Sequence, residues 1–290
     1  MAFGKTSTAE EVTEGLDLSG KSYLITGVNS GLGYETARVL VLRGARIIGL
    51  ARTEAKADGA LEALGAEGVG VACELSDLGS IQAAVETVTG LGALDGIIAN
   101  AGIMALPELQ QVHGVERQLF TNHVGHFVLV NGVLDRLTDD GRVVVLSSGA
   151  HYYADRGIEL DNVSGATDYA PWRAYGRSKL ANILFARSLS RQFAGTNKVA
   201  NSLHPGVIKT NLARHVPDPA SMFESLKSIM KTVGQGAATQ VYVATHPDAA
   251  SISGEYFSDC AVAEVVQSDG LSDEKADALW AWTEELVASL

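Results

Sequence analysis

The sequence predicts an α/β chain built on one doubly wound parallel sheet of about seven strands, with helices on both faces. Three observations carry that expectation. Short β-rich runs alternate with helical stretches through almost all of the 290 residues. The runs Gly96-Ile97-Ile98-Ala99 and Val143-Val144-Val145-Leu146 are continuously apolar, as strands covered on both faces are. A glycine-rich turn follows the first strand directly and opens a helix. Alternation of this kind implies right-handed crossovers, and these build a parallel sheet.

Taken in order, residues 1–17 form a polar leader in which Thr8-Ala9-Glu10-Glu11 has the pattern of a capping box. Residues 18–290 read as a single domain, with no linker or repeat to divide them. Strands are expected at 22–26, 45–50, 68–72, 94–99, 142–147 and 199–204, with a seventh near 254–258. Helices are expected near 31–43, 53–64, 77–89, 110–135, 173–194, 235–245 and 272–289. Two segments break the rhythm, 149–173 and 211–234. The second carries Met222, Phe223, Leu226, Ile229 and Met230 at helical spacing, beyond the end of a strand. That is where a substrate lid is expected.

Lys and Arg number 22 against 34 Asp and Glu, a net charge of −12. Such a balance argues against nucleic acid or an anionic membrane surface as partner. It leaves room for a local basic pocket. Two cysteines, Cys73 and Cys260, lie far apart and suit free thiols in a reducing cytoplasm. The first residues lack the apolar core of a signal peptide, and no apolar run approaches the ~20 residues of a membrane span. A soluble cytoplasmic protein is expected.

The turn reads Thr26-Gly27-Val28-Asn29-Ser30-Gly31-Leu32-Gly33. Gly27 permits a tight turn, Gly31 lets the backbone approach a pyrophosphate, and Gly33 permits close helix–strand packing. Phosphates would then face free N–H groups at the positive end of the helix. The second strand ends Gly49-Leu50-Ala51-Arg52, with an arginine where NAD-binding folds place an acid. A guanidinium there suits a 2′-phosphate, with Ser30 as a second contact. NADP(H) is the expected cofactor and NAD(H) the alternative.

Among the eight tyrosines only Tyr175 has a lysine four residues on, Lys179. On a helix the two share one face. A free phenol has a pKa of about 10, and bringing it near 7 takes about three units, roughly 4 kcal/mol. A neighbouring ammonium in a desolvated pocket, helped by a cationic cofactor ring, lowers it in that direction, which would make Tyr175 a proton donor and acceptor for a carbonyl/alcohol pair.

Together these pieces resemble the short-chain dehydrogenase/reductase family, in the branch with the Thr-Gly-x-x-x-Gly-x-Gly fingerprint and a Rossmann-type sheet. The resemblance covers roughly residues 19–260. Asn122-His123-Val124-Gly125-His126-Phe127, Ser178-Lys179-Leu180-Ala181-Asn182 and His204-Pro205-Gly206 are similar to the retinol-dehydrogenase and WW-domain-oxidoreductase-like group. The resemblance implies Tyr175 as acid/base and Lys179 as the residue that lowers its pKa and holds the ribose. It implies Ser148 as the hydrogen-bond partner of the substrate oxygen, and Asn122 as the anchor of a water leading from the lysine to solvent. Asn100, Ala101 and Gly102 would line the cofactor. Glu74 and Leu75 stand where the family has Asp-Leu against the adenine. Pro205, Gly206, Ile208 and Thr210 match the segment that holds the nicotinamide. Ala99 and Glu74 depart from the family's usual Asn and Asp, and no apolar anchor is visible.

The implied function is interconversion of a ketone or aldehyde with an alcohol on a lipophilic small molecule. A silent NADP-binding scaffold or sensor is the alternative, and the full Asn122, Ser148, Tyr175, Lys179 set speaks against it. A sugar-nucleotide epimerase is disfavoured by the glycine spacing. His123 and His126, three apart, are expected to be structural rather than metal ligands, and His204 to satisfy backbone. Trp172, Tyr152 and Tyr153 are expected either to wall a substrate pocket or to pack at the surface. The C-terminal helix should dock on the body or on a neighbouring subunit of a homo-oligomer.

Overall fold

In the computed structural model, which describes residues 3–290, eight strands form the central sheet. They are β1 (Ser22–Thr26), β2 (Arg46–Ala51), β3 (Gly68–Ala72), β4 (Leu94–Ala99), β5 (Leu137–Leu146), β6 (Val199–His204), β7 (Tyr256–Ser258) and β8 (Ala261–Val262). Their spatial order is β8-β7-β6-β5-β4-β1-β2-β3. The first seven are parallel, and β8 returns antiparallel beside β7. The extra strand exists because Asp259 and Cys260 both adopt left-handed backbone, φ 52° and 62°, and fold the chain straight back. Strand order reverses between β1 and β4, which opens a crevice at their carboxyl ends.

Apolar runs in the central strands serve both faces at once. Ile25, Ile47, Ile98 and Val144 feed one core, while Leu24, Ile48, Ile97, Val143 and Val145 feed the other, all fully buried. This is why β4 and β5 read as continuous rather than alternating hydrophobicity.

Several expected boundaries move. The strand expected at 45–50 runs Arg46–Ala51, the one expected at 142–147 runs Leu137–Leu146, and the one near 254–258 is only Tyr256–Ser258. The helix expected from 110 begins at Arg117. Before it, Gln111–Val112 pairs with Val115–Glu116 in a hairpin that turns through His113 and Gly114, φ 49° and 76°. Valines flanking a positive-φ pair favour a hairpin over a helix there. The chain then runs helically through Arg117–Leu119, a π-helical turn Phe120–Val124, and Gly125–Val133.

The capping box at Thr8 and Glu11 starts a short helix, Ala9–Val12, whose Ala9 and Val12 are buried in the same core as the Val233–Thr245 helix. Residues 211–234 do not form one amphipathic helix. The Asn211–His215 turn leads to helix Pro219–Ser225, then Lys227–Ile229, and Met230–Lys231 pairs with Val207–Ile208. Helix Asp273–Ala288 docks on the body, where Trp280 meets Phe127 edge-on at 4.7 Å and lies against Phe185 at 5.8 Å. No helix among the described residues is long and apolar enough to cross a membrane.

Candidate active site

The glycine turn sits at the carboxyl end of β1, beside the point where strand order reverses. Gly27 has φ +71°, a conformation that costs an L side chain, and Ala101 lies close enough to crowd a Cβ there at 3.2 Å. A methyl on Gly33 would collide with the Gly27 carbonyl oxygen. Ser30 is the N-cap of helix Gly31–Leu42, and its side chain makes no capping bond. First-turn N–H groups of that helix, beside exposed Asn29 and half-buried Leu32, therefore face the crevice as anion donors. That cradle fits a dinucleotide pyrophosphate.

Thr26 ties the turn to the next loop. Its Oγ1 accepts from the Asn100 and Ala101 N–H groups, both at 2.9 Å, and its carbonyl accepts from Asn100 Nδ2 at 2.8 Å. On the far side, Pro205 and Gly206 follow β6 and lead into the Val207–Ile208 strand. Thr210 then returns to the turn, its methyl 3.4 Å from where a Gly31 Cβ would stand. Lys231 lies across Gly206 and pairs with Asp259 at 2.5 Å.

At the other end, Arg52 is exposed at the tip of β2. Burial and then the like charge of Arg52 depress the Arg214 guanidinium, opposed by Glu74, so these three groups share one neighbourhood. One Glu74 carboxylate oxygen accepts from the Ser76 N–H and hydroxyl, at 3.1 and 2.8 Å. Leu75 is buried in the core, with its carbonyl against Gly125.

Tyr175, Ser178 and Lys179 project from the buried face of helix Pro171–Gln192. Lys179 Nζ stands 5.7 Å from the Tyr175 ring centroid and donates to the Leu146 carbonyl at 2.9 Å. Asn182 Nδ2 donates to the same carbonyl at 2.9 Å, and Ser147 Oγ to the Lys179 carbonyl at 2.7 Å. Asn122, in the π-helical turn, accepts from the Ile103 N–H through Oδ1. Its Nδ2 donates to the Ile103 carbonyl and to Ser178 Oγ, all three at 2.9 Å. Ser178 Oγ donates in turn to the Tyr175 carbonyl at 2.7 Å. The Asn122 side chain is thus a clamp between the loop after β4 and the tyrosine helix.

Ser148 caps the turn Gly149–Tyr153, its Oγ accepting from the Ala150 N–H at 3.1 Å. Two histidines hold the backbone of Ser148 and Gly149. His151 Nε2 accepts from the Val266 N–H at 3.0 Å, so Nδ1 carries the proton and donates to the Ser148 carbonyl at 2.7 Å. His204 Nδ1 accepts from the Gly149 N–H at 2.9 Å, the backbone role expected of it.

Burial governs the electrostatics of the ligand-free site. Burial pushes the Tyr175 phenol up to about 12, with only the Ser148 hydrogen bond acting downward. Burial also pulls Lys179 down to about 8. Without ligand, desolvation dominates and the phenol is neutral at pH 7. His123 and His126 are pulled to about 3 and 4, first by burial, and are neutral too. His123 Nε2 meets Thr283 Oγ1 at 3.1 Å.

Ser178, Asn182, Thr26, His126 and His151 escaped sequence reasoning as site residues. All but His151 stand in motifs quoted above, but only their three-dimensional partners, up to 115 residues away, give them a role.

Similar known proteins give this geometry its context. The family model for short chain dehydrogenase matches residues 21–220. A short-chain dehydrogenase of Brassica napus, TIC 32 B, chloroplastic, is 38% identical over 99% of this chain and 95% of its own. Human retinol dehydrogenase 14 is 37% identical over 94% of this chain and 88% of its own. The solved structure of the angucycline C-6 ketoreductase LanV with bound NADP superposes with a TM-score of 0.69 at 25% identity, covering 84% of this chain and 95% of that one. With its sheet order, glycine turn and this match along two-thirds of its length, the chain belongs to the short-chain dehydrogenase/reductase family of oxidoreductases.

Proposed function

We propose that the protein is an NADP(H)-dependent oxidoreductase that interconverts a carbonyl and a primary or secondary alcohol on a lipophilic small molecule, with Tyr175 as acid/base. One observation carries the reading. Tyr175 is 4% exposed and shares one apolar cluster with Met104, Ala213, Trp172, Met222 and Phe223, while Ser148 is the polar side chain that acts on its hydroxyl. Apolar side chains gathered around two hydroxyls suit a hydrophobic body carrying one polar oxygen.

A bound nicotinamide supplies the hydride. The Ser148 and Tyr175 hydroxyls donate to the substrate oxygen as negative charge builds there, in a site that excludes water. Because burial keeps the phenol protonated at neutral pH, Tyr175 holds on Oη the proton that carbonyl reduction consumes. Lys179 spends one N–H on Leu146 and keeps two for ribose hydroxyls. At the adenosine end, Arg52 and Arg214 repel each other, and a 2′-phosphate between them would relieve that. Two buried free thiols suit a reducing cytoplasm.

The test is nicotinamide absorbance during turnover of hydrophobic ketones, aldehydes and alcohols, with NADPH against NADH. NADPH-linked turnover is expected, and Arg52→Asp should raise the KM for NADPH about tenfold or more, as loss of a charge-assisted bond does. No turnover with any of the panel would sink the reading. An unchanged KM in Arg52→Asp would sink its account of cofactor choice.

A further inference from the structure

His126 joins the two halves of the site. Thr26 Oγ1 already accepts two backbone N–H groups, from Asn100 and Ala101. A hydroxyl has two acceptor positions and one proton, so that proton must go to its third neighbour, His126 Nε2, at 2.9 Å. Nε2 is therefore bare. The ring proton sits on Nδ1, 2.9 Å from the Asn122 main-chain carbonyl, and donates to it. The imidazole is fully buried, and both of its nitrogens are used. No part of the proposed chemistry requires it.

The two ends of this bridge serve different tasks. Thr26 fixes the Asn100–Ala101 backbone against the glycine turn, the wall of the dinucleotide crevice. Asn122 clamps Ile103 to Ser178 and so to the backbone of Tyr175. Its carbonyl lies in a π-helical turn, an interruption of regular helix pairing often found at functional sites. We infer that His126 is a positioning residue, which through one fixed tautomer holds the cofactor wall with Nε2 and the catalytic clamp with Nδ1. This inference rests on the proposed reaction for its kinetic reading, but the tautomer and cofactor affinity are measurable without turnover.

Two half-isosteres separate the ends. A glutamine oxygen reaches the position of Nε2 and an asparagine amide that of Nδ1, so His126→Gln keeps the Thr26 bond and His126→Asn keeps the Asn122 bond. For the full chain, His126→Gln should lower kcat about tenfold while holding the Kd for NADPH, read by fluorescence titration, within about twofold; the loss of one buried hydrogen bond is of that size. His126→Asn should do the reverse, weakening NADPH about tenfold with a smaller fall in kcat. Both variants changing kcat and Kd together would overturn the inference, since a merely structural histidine would act that way. Nitrogen-15 NMR of histidine-labelled wild type supplies the independent readout. Protonated Nδ1 with bare Nε2 at pH 7 is expected, and the opposite tautomer or a charged ring overturns the inference even if the variants fail to fold. Wild type that binds NADPH and shows the expected tautomer, yet turns over no carbonyl or alcohol, would instead refute the proposed function alone.

Discussion

Tyr175 and Lys179 are both governed by burial. Each is fully enclosed, and each is driven toward its neutral form, the phenol to about 12 and the ammonium to about 8. Tyr175→Phe keeps the ring packed against Trp172, at 6.2 Å, and removes only the hydroxyl. NADPH binding should therefore survive while turnover falls at least about a hundredfold, the lower end of the range for loss of a general acid. Retained turnover would remove Tyr175 from the chemistry. Lys179 makes a second prediction, about stability. Its folded pKa lies below its unfolded value of 10.5, so the folded state releases the proton first. Between about pH 8 and 10.5 the unfolded chain binds more protons, and this residue's contribution rises with pH. Cys73 and Cys260 act oppositely, because burial raises their thiols from 9.0 to about 12 and 11 and stability is lost above pH 9. The readout is accordingly a difference. Denaturant unfolding of wild type and Lys179→Met at pH 7 and pH 10 should show wild type gaining relative to the variant at the higher pH. A parallel shift of both would mean that Lys179 is not desolvated.

At the scale of the element, the glycine turn is held by contact rather than by propensity. A methyl on Gly33 meets the Gly27 carbonyl and also Asn100 Nδ2 at 2.7 Å, and neither can move without loosening Thr26. Gly33→Ala should cost about 1–3 kcal/mol of stability, as overpacking does. It should also weaken NADPH in titration, because the same shift opens the phosphate cradle. Unchanged affinity would mean that the turn does not bind phosphate. This turn was legible in the sequence because its glycines sit between a run of β-formers and a helix. So were β1, β3, β4 and β6, whose ends fall where they are expected. The hairpin at 111–116 was less so, since Val112, His113, Gly114 and Val115 also fit the start of a longer helical pattern. What the sequence could not reveal was tertiary by nature. Spacing on a helix sets Lys179 beside Tyr175, but it carries no information on how completely the pair is desolvated. Likewise, nothing local marks His126 as the partner of Thr26, one hundred residues earlier.

For the whole molecule, the question is what holds the last helix, Asp273–Ala288, onto the helices that carry Asn122 and Tyr175. Two kinds of contact compete. Arg187 pairs with Asp273 at 2.6 Å and Arg191 with Asp277 at 2.7 Å, but these ions are largely exposed and screened by solvent. Beneath them, Ala276 and Leu279 are buried against Leu180 and Leu184, and Trp280 packs on Phe127 and Phe185. Apolar burial is the larger effect by several-fold. The covered surface belongs to helices Gly125–Val133 and Pro171–Gln192. Trp280→Ala should cost about 3 kcal/mol. For a chain of this size that lowers Tm by roughly 5–10 °C. Asp277→Asn, which breaks an ion pair and leaves the packing intact, should hardly move it, and added salt should do little more. Thermal unfolding of the two variants at low and high salt decides between the contacts. If Asp277→Asn proved the more damaging, or if wild type lost its stability in salt, the helix would be held by its surface charges and the buried aromatic contact would be incidental.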